Sequence, residues 1–160
     1  MHPQEQDLVT FDLAQRFLQL GGGEGEEILL ERIRADVAGG SRSLADVVDE
    51  LGSDFLEQPG EFGLDQAASL LLPLALPAIR DFVKVFAKKF VETTAEKVAG
   101  DSYSTLRDSI ARRLSQAPAS DAAWIDLEAA FAKRAEELRL PASSYRDLLA
   151  SARNNPTLLL

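Results

Sequence analysis

Apolar residues recur along this chain at spacings of three and four, and glycine or proline closes each run. Residues 5–20, EQDLVTFDLAQRFLQL, spread Leu8, Val9, Phe11, Leu13, Phe17, Leu18 and Leu20 around much of a helical wheel. The pattern predicts a helix buried on more than one side. GGGEG at 21–25 stops it and reads as a flexible connection. A second helix is predicted over about 25–38, with Ile28, Leu29, Leu30, Ile33 and Val37 set against Glu26, Glu27, Glu31 and Arg34. Gly39 with Gly40 supplies its left-handed C-terminal cap. A third starts at Ser43, with Asp46 in a weak capping box and Leu44, Val47, Val48 and Leu51 inward. It reaches toward Gln58, with a kink or break expected at Gly52, before the turn PGEFG at 59–63.

The next stretch, AASLLLPLALPAIRDFV at 67–83, runs from Ala67 to Ile79 without a charge. As a helix those residues would reach about 20 Å, short of a hydrocarbon core of roughly 30 Å, so they cannot span a membrane alone. Pro73 and Pro77 each remove an amide donor and disfavour helix in the preceding residue. The expectation is therefore a Pro-kinked buried segment at 67–77. Pro77 would lie in the first turn of an amphipathic helix running to Ala99, where a missing N–H costs little. On that helix Ile79, Phe82, Val83, Phe86, Phe90 and Val98 gather opposite Lys84, Lys88, Glu92 and Glu96.

Gly100 ends this element, and Asp101 or Ser102 caps the next, with Tyr103, Leu106, Ile110 and Leu114 on one face. After Pro118, Ser120 is expected to cap a helix to about Leu138 with Trp124, Leu127, Phe131 and Leu138 inward. Ser143 or Ser144 opens a short last helix to about Arg153. No strand-like alternation and no internal repeat is present, which predicts an all-α, single-domain bundle of six to seven helices. Within it an acidic part (1–63), an amphipathic part (64–153) and an apolar tail (154–160) are distinguishable by composition. The tail's TLLL would either lie along the body or be captured by a partner's groove.

Composition narrows the chemistry. With 160 residues, 46% of them apolar, the chain can bury a core. It has no cysteine, and its one histidine is His2. Thiolate chemistry, disulfides and most histidine-based catalysis or metal binding are thereby excluded. The opening MHPQEQDLVT has neither the basic nor the apolar region of a signal peptide, so a cytoplasmic location is expected. Arginine outnumbers lysine twelve to five in an Ala- and Leu-rich chain, a bacterial-looking bias. Of the net charge of −9, residues 1–66 contribute fifteen acids and four bases, and residues 67–160 eleven acids and thirteen bases. An acidic front argues against nucleic acid, whose phosphates reward clustered cations.

Three motifs fail on context. GGGEG has no preceding strand, no following Gly-Lys-Ser/Thr and several nearby glutamates, so it is not a phosphate loop. SLADVVDELGSDFLEQ at 43–58 has the turn of a helix-turn-helix, but its would-be reading helix carries Asp54 and Glu57 and nothing basic. Glu27 with Glu31, and Asp46 with Asp49 and Glu50, share helical faces but read as solvated acids, not as cation ligands. No catalytic residue, metal ligand or cofactor is predicted, and the chain is not expected to be an enzyme.

Residues 70–114, with Ala87, Ala95 and Ala99 on a Lys-bearing helix followed by DSYSTLRDSIARRL, resemble helical modules that accompany bacterial signal-transduction (STAND) NTPases and caspase-like proteins of conflict systems. The resemblance implies an interaction or membrane-acting module without catalysis. Two functions stand side by side. One is a non-catalytic adaptor or assembly subunit that binds a protein partner or itself through Lys84, Lys88 and Lys89, or Arg112 and Arg113. The other is a membrane-acting effector in which the acidic front masks residues 67–99, with Phe82, Phe86 and Phe90 entering the acyl boundary and the lysines meeting anionic headgroups.

Overall fold

The computed structural model describes residues 3–57, 71–94 and 102–159. Among the described residues seven α-helices follow one another: α1 (Pro3–Leu20), α2 (Glu24–Ala38), α3 (Leu44–Glu57), α4 (Leu71–Thr94), α5 (Ser102–Gln116), α6 (Ala122–Glu137) and α7 (Ser143–Asn154). A short 3-10 turn, Pro156–Leu159, packs back on α1, α5 and α7, and Leu159 is buried. The described residues contain no strand, and one core joins all the helices, so the fold is the expected all-α bundle. The PGEFG turn, the boundary at 63/64, Gly100, Asp101, Val98 and the side chains of Phe90 and Tyr103 lie outside the described residues.

Helix α4 occupies the centre, packed chiefly on α1 and α6 and also on α3. Leu72, Leu74, Ala75, Leu76, Ala78 and Ile79 are at most 1% exposed, so the described part of the uncharged run, from residue 71, is core. Aromatic rings knit the neighbours together, with Phe17 and Phe131 centroids 5.9 Å apart and Phe131 and Tyr145 6.2 Å apart. On α5 the face Leu106, Ile110 and Leu114 is buried as its spacing predicts.

The start of α4 departs from the prediction. The helix begins at Leu71, six residues before Pro77, and runs through that proline. Pro73 falls in the first turn, where its amide would have had no intrahelical acceptor in any case. Pro77 is interior and leaves the carbonyl of Pro73, four residues earlier, without its helical donor. Arg134 of α6 replaces that donor: its Nε gives a hydrogen bond of 3.1 Å to Pro73 O. Glu26 of α2 attends to the other end of the problem, its Oε1 accepting from Leu72 N at 3.2 Å. One side chain thus replaces the donor that Pro77 removes, and the other caps the first turn of the helix.

Other differences have equally local causes. Helix α3 continues through Gly52, which is buried and contacts the Arg134 guanidinium. The N-cap of α6 is Asp121, not Ser120, because its carboxylate accepts from Ala123 N at 3.0 Å and is also fixed by Arg113. Of the apolar residues of α2, Leu30, Ile33 and Val37 face inward; Ile28, on the opposite sector, is 71% exposed and Leu29, at the flank of the inward stripe, 41%. The α1–α2 connection is tight and not merely flexible: Gly23 is buried, and a Cβ there would meet Glu26 Oε2 at 2.9 Å. The Ser43 cap is present, with Asp46 N donating to Ser43 Oγ at 3.1 Å.

Candidate functional site

The side chains singled out in the sequence divide by environment. Phe82 is 1% exposed and belongs to the core, with its ring 5.9 Å from that of Phe86, which is half-buried. In this packing Phe82 is not a surface group, and only an opening of the bundle would bring it to a membrane. Lys84 and Lys88 are exposed on α4, beside the 43%-exposed Val85. Lys89 is also exposed but pairs with Asp126 of α6 at 2.5 Å. Arg112 is exposed, whereas its neighbour Arg113 makes a two-pronged contact with Asp121, at 2.9 and 3.1 Å. That hydrogen bond, with the second from Ala123 N, holds the Asp121 carboxyl below the usual carboxylate range and pushes Arg113 further up.

Of the five predicted cations, then, Lys89 and Arg113 already have anionic partners within the chain. Among the described residues Lys84, Lys88 and Arg112 make no direct ion pair, although Lys84 shares a cleft with Asp7. No group of three or more His, Asp or Glu side chains that could hold a metal is present among the described residues, and Glu50 is paired with Arg42. No helix there is long and apolar enough to cross a membrane.

A cleft of about 200 Å³ opens beside Lys84, between α1, the start of α3 and α4. Gln6, Asp7 and Thr10 form one wall, Ser43, Leu44 and Ala45 the second, and Arg80 with Lys84 the third. Burial pushes the Asp7 carboxyl upward, while Arg80 and then Lys84 pull it down. Arg80 was not among the residues singled out. Its position one turn before Lys84 was the available signal, because residues four apart share a helix face.

Arg134 is the second residue missed. It is 9% exposed and joins three helices, donating to Pro73 O of α4 and, through Nη2, to Val48 O of α3 at 3.1 Å, while Nη1 meets Glu137 at 3.1 Å. It sits three residues after Phe131 and four before Leu138, inside the inward stripe of α6, where an arginine must find buried acceptors. Its task is architectural.

Burial also drives the Glu26 carboxyl up to about 7, with the Leu72 amide opposing. One of its oxygens, Oε2, is enclosed without a partner. No protein-family model, curated protein or solved structure matches the chain.

Proposed function

We propose that this chain is a non-catalytic helical adaptor or assembly subunit of a bacterial cytoplasmic system, which docks an acidic protein partner on the solvent edge of α4. The observation that carries the reading is the division of α4 itself. Its N-terminal half is the most enclosed part of the bundle, and directly after Val83 the same helix presents Lys84, Val85 and Lys88 to solvent. Unpaired cations flanking an exposed apolar residue on a rigid backbone suit recognition, because little side-chain and no backbone order must be created on binding. The resemblance to modules of conflict systems points the same way.

Lys84→Glu/Lys88→Glu tests it without disturbing the Lys89–Asp126 pair. Affinity capture with the wild-type chain, followed by titration of the purified partner, should give binding that weakens at least tenfold in the double variant and with rising salt. Unchanged affinity in the variant would remove this face from consideration. Flotation of the chain with anionic vesicles, in place of protein capture, would favour the membrane-acting alternative, which requires α4 to leave Arg134 and Glu26.

A further inference from the structure

The cleft beside Lys84 has properties that partner docking does not use. Arg80 and Lys84 contribute two positive charges to a chain whose net charge is −9, and Asp7 contributes one negative charge. Among the described residues neither cation has a hydrogen-bond or ion-pair partner, and Arg80 Nε is enclosed with none. A shielded guanidinium N–H without an acceptor is unusual in a folded protein.

The third wall adds donors. Ser43 Oγ accepts from Asp46 N and keeps its own hydrogen available. Leu44 and Ala45 belong to the open first turn of α3, whose amides precede any intrahelical acceptor. Thr10 is different, since its hydroxyl already donates to Gln6 O at 2.8 Å and can offer only lone pairs.

We propose that this cleft binds a small oxyanion, a phosphate or a carboxylate, held between Arg80 and Lys84 of α4 and the Ser43 end of α3. Its size sets the class. About 200 Å³ holds one such group with a few waters, whereas drug- or nucleotide-sized ligands occupy pockets of roughly 300–1,000 Å³. Asp7 faces both cations and competes with the ligand for them, so it sets the affinity without donating a hydrogen bond. The site shares Lys84 with the docking face but not Lys88, which does not line the cleft, so a Lys88 variant that loses partner capture should leave anion binding intact.

The full chain should be titrated with inorganic phosphate, and separately with glutamate, in low-salt zwitterionic buffer, with sodium chloride at matched ionic strength as the control. Amide chemical shifts and calorimetry are the readouts. Saturable shifts are expected at Thr10 and at residues 43–46. Lys84→Gln, at an exposed position, should weaken binding about tenfold with an unchanged melting temperature, and Asp7→Asn should strengthen it several-fold. Whichever anion saturates identifies the natural group. Absence of saturation by both, or equal affinities in wild type, Lys84→Gln and Asp7→Asn, would overturn the assignment.

Discussion

Gly52 and Arg134 should behave as one unit. A Cβ added at Gly52 would lie 2.9 Å from Arg134 Nη2 and 3.3 Å from Nη1, and those nitrogens are already committed to Val48 O and Glu137. In the wild-type chain Gly52→Ala gains about 0.5–1 kcal/mol of helix propensity. Displacing the guanidinium from a buried carbonyl costs about 1–3 kcal/mol, so the net effect is a loss of up to about 2.5 kcal/mol. Arg134→Leu removes charge-assisted bonds from two backbone carbonyls, at about 1.5–3 kcal/mol each, offset in part by release of a desolvated charge; the expected net loss is about 2–4 kcal/mol. In the Arg134→Leu background the obstruction is gone, and Gly52→Ala should turn stabilising by about 0.5–1 kcal/mol. Urea unfolding followed by helical circular dichroism and by fluorescence of Trp124, the chain's one tryptophan, gives all four stabilities, provided the slopes agree. The reversal of sign is the decisive observation. Were Gly52→Ala to have the same effect in both backgrounds, the close packing of the guanidinium on α3 would be refuted.

Two further outcomes follow from single residues. Because Glu26 titrates at about 7 when folded and at 4.5 when unfolded, the folded state holds the extra proton, and stability falls as pH rises through that window. Discounted for partial exposure, the loss between pH 5 and pH 8 is about 1–3 kcal/mol, and Glu26→Gln, which keeps an acceptor for Leu72 N, should abolish it; a wild-type-minus-variant difference that is flat with pH would contradict this. Arg139 ends α6 in the left-handed region at φ 59° while Leu140 N bonds Ala135 O, so Arg139→Gly should stabilise by about 0.5–1 kcal/mol in thermal melts, and Arg139→Ala should not.

Helical periodicity and Gly/Pro punctuation located every described helix, because those signals are local. What escaped was set by partners far along the chain. Pro73 and Pro77 argue against helix on local grounds, and they do so correctly until Glu26 and Arg134 are placed beside them. Gly52 reads as a weak point until a guanidinium occupies the space its missing side chain leaves. The cationic residues were found but not their fates: nothing local distinguishes Arg112 from Arg113, and only the approach of Asp121 spends one and spares the other. Half of the cleft was likewise invisible, since Arg80 acquires its meaning from α1 and α3.

The support of α4 by distant side chains bears on how the bundle assembles. Its bonds to Glu26 and Arg134 link residues 46 and 61 apart, and Arg134 reaches Val48 across 86. An isolated 71–94 segment would carry Pro77 in its interior, at about 3 kcal/mol, with neither partner in place. The stretch of the central helix before Pro77 is therefore stabilised when α2 and α6 arrive. Its formation is an event of tertiary closure, and the loop-closure entropy of those long connections falls on the rate of folding. A chain built this way has little access to a partly unwound state in which α4 persists as a free helix, and helix content and core packing should be lost together.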